Sequence, residues 1–237
     1  MLTIRDFSFT YPNGKKAVDG LNIEVKPGDL YAFIGHNGAG KTTTIKCIMG
    51  ILDFEAGDIL IDGTSIKTDP LTCKRQTAYL PDNPDLYESL TGLQYLNFVS
   101  DLFRIPLEER KADIEKYATS FEMMGELNNY ISSYSHGMRQ KLALIGAFIH
   151  HPKLIVMDEP FVGLDPKASF IVKNMMKEFC ANGGAIFFST HILEVAEKLC
   201  NRLSIIKQGK LVVSGTMEDV TKDASLEDVF LELTERA

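Results

Sequence analysis

The chain has no tryptophan, only four cysteines, and no apolar run approaching the roughly 18 residues needed to cross a bilayer. Cys47, Cys73, Cys180 and Cys200 lie far apart with no C-x-x-C pair. That spacing excludes a disulfide framework or a cysteine-rich zinc site and leaves reduced core thiols. His150 and His151 have no cysteine or carboxylate at ligand spacing, so both are read as surface histidines. The first residues, MLTIRDFSFTY, lack the basic start and apolar stretch of a signal peptide, and a cytosolic protein is expected. Basic tracts are missing too. Twenty-five lysines and arginines face 32 aspartates and glutamates, for a net charge of −7. This balance argues against a protein that coats nucleic acid, and no nucleic-acid partner is expected.

What is present is a long alternation. With 45% hydrophobic residues in 237, the chain has ample core for a globular fold. Residues 2–11 and 17–26 alternate in the manner of strands, the second ending at a Pro27–Gly28 turn. LYAFIG (30–35) is short enough for a buried strand, and a helix-like stretch follows over 42–52. Strand patterns recur at 58–66 and 75–81. From about Thr91 to His151 the periodicity turns helical, over 93–103, 108–121 and 136–149. Strands and helices then alternate again: strand 153–160, helix 166–180, strand 184–190, helix 192–200, hairpin 202–215. The pattern is an α/β core with a helical insertion near its middle.

Four short segments carry chemistry. GHNGAGKTT (35–43) satisfies G-x-x-x-x-G-K-[ST] at every fixed position, between a strand and a helix. Phosphates approach backbone closely only where side chains are absent, and a helix start favours anions. The amides of Gly38, Ala39 and Gly40 can then face a phosphate chain, while Lys41 reaches the β- and γ-phosphates and Thr42 binds Mg²⁺. LIVMDEP (154–160) sets Asp158 at the carboxyl end of a buried strand, where α/β sheets bind ligands. A carboxylate there can hold Mg²⁺ through water, and Glu159 can polarise a water in line with the γ-phosphate. STH (189–191) puts His191 at another strand end, near the same phosphate. The fourth segment, SSYSHGMRQKL (132–142), sets Ser135 beside His136. Neighbours in sequence rarely make a nucleophile and its base, and no G-x-S-x-G elbow surrounds the serine, so a hydrolase reading is rejected.

Taken in order, these segments resemble the nucleotide-binding subunit of an ABC transporter over essentially the whole chain. Tyr11, GHNGAGKTT, YLP, YSHGM, LIVMDEP, GLDP and STH carry the resemblance. It implies a P-loop NTPase core with an N-terminal antiparallel β region and an inserted α-helical subdomain. Residues 1–90 and 152–237 would form the core and 91–151 the helical subdomain, within one ATP-binding domain over 1–237. ATP and Mg²⁺ are the implied cofactors. Tyr11 would stack on adenine, and Gly35, His36, Asn37, Gly38, Ala39, Gly40, Lys41, Thr42 and Thr43 would cradle phosphate. Ser135, Gly137 and Met138 would bind the γ-phosphate of ATP held by a second subunit, most simply a second copy. Asp165 would lie across the dimer seam. Glu159 is the implied general base, His191 steadies the γ-phosphate, and Thr42, Asp82 and Asp158 hold the metal.

Two departures from the family pattern matter. His136 and Met138 stand where glycine and glutamine are common. Asp82 stands after YLP where glutamine is usual; it remains an oxygen ligand for Mg²⁺ but donates no hydrogen bond when ionised. An acidic residue there, with SLEDVFLELT (225–234), resembles bacterial ABC-2-type exporters. The implied partner is an integral membrane permease subunit docking between Asp82 and Tyr87 and at Leu102 and Phe103. The implied location is the cytoplasmic face of the bacterial cell membrane. Rival readings are a soluble ABC ATPase of translation or DNA repair, which usually carries two such domains or long coiled-coil insertions, and a small-molecule kinase. The kinase leaves Ser135, Asp165 and His191 unexplained together.

Overall fold

The computed structural model describes residues 1–222 and 224–235. Strands β1 (Leu2–Thr10) and β2 (Lys16–Val25) pair antiparallel. Next, β3 (Leu30–Ile34) runs into α1 (Lys41–Ile48). The sequence pattern carried this helix to Leu52, but Gly50 adopts a φ of +58° and ends it earlier. Strands β4 (Ala56–Ile61) and β5 (Thr64–Ser65) complete an antiparallel sheet of order β2-β1-β4-β5. A short helix, α2 (Pro70–Arg75), is capped by the Asp69 side chain and leads to β6 (Thr77–Leu80).

Three helices follow: α3 (Gly92–Leu102), α4 (Leu107–Ser120) and α5 (His136–Ile149). Thr91 and Gln94 form a reciprocal capping box at the start of α3, which fixes where the helical stretch begins. The chain then returns through β7 (Leu154–Asp158), α6 (Pro166–Ala181), β8 (Ala185–Thr190), α7 (Leu193–Leu199), β9 (Arg202–Lys207) and β10 (Lys210–Thr216). Helices α8 (Met217–Thr221) and α9 (Leu226–Glu235) close the described chain.

The second sheet has the order β10-β9-β3-β8-β7-β6, parallel except at the β9–β10 hairpin. Its central strands are buried on both faces, which is why they read as unbroken apolar runs. Along β3, Tyr31 and Phe33 pack towards the antiparallel sheet, while Leu30, Ala32 and Ile34 pack towards the helices. The two cores thus share one sheet. The carboxyl ends of β3, β7 and β8 come together at one edge, with Lys41 at the start of α1, Asp158 at the end of β7 and His191 just after β8.

The two adjacent histidines part company. His151 is exposed, as expected, with Nε2 lying 2.8 Å from Asp113 Oδ2 and 3.2 Å from Glu109 Oε1. His150 is buried, contrary to the surface reading, because its imidazole stacks on Phe103 with centroids 3.8 Å apart. Burial pushes its pKa down to about 4. An unfolded chain takes up this proton near its ordinary value of about 6.5. Stability is therefore lost as pH falls from about 6.5 through 4, by up to roughly 3 kcal/mol. His150→Phe should show a smaller loss than wild type between about pH 7.5 and pH 4.5 in urea unfolding. Equal losses in the two proteins would refute this origin.

Candidate functional site

The phosphate loop is shaped by what its glycines avoid. A Cβ on Gly35 would lie 2.6 Å from the Ile206 carbonyl oxygen. Gly40, the residue before α1, holds a φ of +111°, and a Cβ there would come 2.6 Å from the Ala17 carbonyl oxygen. Both sites exclude any side chain, and the chain turns directly from β3 into the helix start. The Lys41 ammonium curls back over the loop, donating to the Gly35 carbonyl at 2.6 Å and the His36 carbonyl at 3.4 Å. Burial lowers its pKa, against the opposing pull of the Glu159 and Asp158 charges. Tyr11 and Thr43 share a hydrogen bond of 2.8 Å between hydroxyls. A cavity of about 310 Å³ opens above, lined by Tyr11, Lys15, His36, Asn37, Gly38, Gly40, Lys41, Thr42, Thr43, Asp82, Asp158 and Glu159.

Acidic groups crowd its far wall. Asp158 is buried and accepts a hydrogen bond from the Ser189 hydroxyl. That hydroxyl accepts in turn from the Glu159 N–H at 3.1 Å, so one serine of β8 ties down both the acid that ends β7 and the one that follows it. Glu159 adopts a φ of +49°, a left-handed conformation rare for glutamate, which turns its side chain out of the strand. Its carboxylate lies 3.8 Å from the Lys41 ammonium and 3.0 Å from His191 Nδ1. The Asp82 carboxyl is pushed up by burial and by the Asp158 and Glu159 charges, while His136 and His191 pull it back. Three carboxylates therefore face a single buried ammonium, an excess of negative charge that suits a divalent cation.

The remaining expected residues lie elsewhere. Ser135 caps α5, its hydroxyl accepting the Met138 N–H at 3.2 Å. Beside it, the His136 ring fills the place a Cβ on Gly163 would take, 2.4 Å from the nearest ring carbon. Asp165 caps α6, accepting the Ala168 N–H at 2.7 Å and pairing with Lys141 at 3.0 Å. The Ala168 amide, then Lys141, hold its carboxyl below the ordinary range. None of Ser135, Gly137, Met138 or Asp165 lines the loop cavity of its own chain. Ser189 and Lys141 were not singled out in the sequence. Ser189 was visible only as the first letter of STH, and Lys141 as one lysine on a helix.

The family described as ABC transporter matches residues 18–162, well over half of the chain. The ABC-type transporter ATP-binding protein EcsA of Bacillus subtilis is 33% identical over 239 residues, covering 99% of this chain and 96% of EcsA. The chain belongs to the ABC transporter family. A solved ATP-binding subunit of an ABC transporter superposes with a TM-score of 0.94 at 34% identity, covering 98% of this chain and 99% of that one. The fold is also that of the ATP-binding cassette MJ0796, solved as a post-hydrolysis dimer with ADP and Pi (TM-score 0.83, 23% identity, covering 92% of this chain and 99% of that one). As an ATP-binding subunit of this family the chain is an ATPase. No helix among the described residues is long and apolar enough to cross a membrane. In this family the ATP-binding subunits dimerise and pair with membrane permease subunits.

Proposed function

We propose that two copies of this chain close around two ATP molecules at the cytoplasmic face of a bacterial membrane and drive an exporter. The carrying observation is the separation of Ser135, Gly137 and Met138 from the cavity of their own chain. A phosphate ligand set at a helix start that cannot serve its own loop can serve another chain's. Lys41 and the amides opening α1 bind the phosphates, and Tyr11, with its hydroxyl tied to Thr43, offers its ring to adenine. Thr42, Asp82 and Asp158 would hold Mg²⁺, which would neutralise charge on the phosphates. Glu159, oriented by Ser189 and held between Lys41 and His191, takes a proton from the attacking water. His191 steadies the γ-phosphate, and Asp165 couples the two sites across the seam. Residues 91–151 form the helical subdomain of the domain over 1–237.

The motion is delivered at a groove of about 280 Å³ beside Asp82. Leu86, Tyr95, Val99, Phe103 and His150 line it. Of the anchors expected from sequence, Phe103 is already stacked on His150 and forms the floor. Tyr87 and Leu102 do not line the groove; at 59% and 66% exposed, they are left for a partner. A cytoplasmic helix of the membrane subunit fits such an apolar, aromatic trough. The exporter direction is supported by Asp82 and by the 225–234 segment, which lies in α9 from Leu226 onward.

The test uses the paired change Tyr87→Glu and Leu102→Glu in the native host. ATP binding should stay near wild type, while recovery of a membrane subunit with the tagged protein and ATP-driven efflux both fall at least tenfold. Unchanged recovery and transport would refute this docking site. ATP-driven uptake in place of efflux would reverse the direction.

A further inference from the structure

Phe230 lies on α9, beyond the residues matched by the family model, yet its ring packs against the phosphate loop. Its centroid is 4.8 Å from that of the His36 imidazole, with the ring planes at 57°. Phe230 is buried, and its helix is fixed at its start. The Leu226 side chain is buried and its N–H donates to Glu197 Oε1 of α7 at 3.1 Å. Ser225 caps the helix by accepting the Asp228 N–H at 3.1 Å. The ring is therefore presented from an anchored support.

His36 is where the loop closes on itself. Its carbonyl accepts the Ala39 N–H at 3.1 Å and the Lys41 ammonium at 3.4 Å. The residue whose backbone helps hold Lys41 thus has its side chain set against the C-terminal helix. A loop with glycine at 35, 38 and 40 has many conformations to lose when it grips a ligand. An aromatic contact that restrains one of its few large side chains spends part of that ordering before nucleotide arrives.

We propose that Phe230 is a positioning residue for ATP: through His36 it holds the opening turn of the phosphate loop in its nucleotide-receiving shape. This rests on the reading of residues 35–43 as the ATP-binding loop. It adds to that reading a residue nearly 200 positions away that touches no phosphate.

The test is made on the full chain with Mg-ATP. Phe230→Ala should raise both Kd and KM for ATP by roughly three- to tenfold while kcat stays within about twofold. Phe230→Leu, which keeps α9 packed but shortens the reach to the imidazole, should give an intermediate rise. His36→Ala should weaken ATP binding too, and adding Phe230→Ala to it should cost nothing further, because the two side chains act through one contact. The proposal is overturned if Phe230→Ala lowers the melting temperature without changing Kd, or if the two changes add. It is equally overturned if kcat falls while KM holds. Should the Ala variant fail to fold, an unchanged Kd in Phe230→Leu overturns it on its own. A wild-type chain that binds no Mg-ATP would instead overturn the reading of the loop, leaving the Phe230–His36 contact as packing alone.

Discussion

The Glu159→Gln protein is expected to bind ATP, pair and stall, with turnover lower by roughly 10²–10⁴-fold. Glutamine keeps the shape, and it keeps the backbone amide that reaches the Ser189 hydroxyl. What it loses is the charge that accepts a proton from water. It also loses the ionic part of the contact to Lys41 at 3.8 Å. Removing one of three crowded carboxylates relieves repulsion against an incoming triphosphate, so ATP affinity should hold or rise. The pairing should become easier to detect because the hydrolysis that would convert the bound ATP is blocked. Phosphate release and light scattering with Mg-ATP are the measurements. A turnover within threefold of wild type would remove Glu159 from the role of base.

A pair of silent variants should restore each other. Lys41→Ala removes the ammonium that spans the loop carbonyls, and Ser135→Arg puts a bulky cation where a hydroxyl caps α5. Each variant alone should show ATP turnover reduced at least 100-fold, since every site then lacks one component. Mixed together, they form some dimers in which the intact loop of one copy faces the intact Ser135 of the other. Turnover should then reappear at a fraction of wild type. If mixing restores neither turnover nor ATP-dependent pairing, the shared site is wrong and Ser135 is only a helix cap.

The parts of the site that the sequence declares are those built by neighbours. Residues 35–43 carry their own geometry, because glycines, lysine and threonine at fixed spacing need only a strand before and a helix after. Asp158 was legible for the same reason, as the polar end of an apolar strand. The parts that were hidden depend on contacts between distant segments. Ser189 acts through Asp158 and Glu159, 31 and 30 residues earlier respectively. The burial of His150 follows from a stack on Phe103, and nothing in the pair of histidines marks which will be covered. The Lys141–Asp165 pair joins two helices whose approach is set by the fold. Asp165, expected at the dimer seam, also caps α6, a local role that Asp-Pro before an apolar helix marks in the sequence.

The loop's surroundings bear on when the protein can first act. Gly35 is pressed by Ile206, the Gly209 N–H donates to the Ala39 carbonyl at 2.9 Å, and Phe230 closes on His36. Every one of these supports is synthesised long after the loop. At a ribosome speed of about 5–20 residues per second, some 170 residues separate Ala39 from Gly209, an interval of roughly 10–30 s. A nascent chain therefore carries its nucleotide-binding sequence through that interval without the frame that shapes it. A chain cut short before Gly209 therefore lacks β10 and the hydrogen bond from Gly209 to Ala39, and its phosphate loop is left without that support.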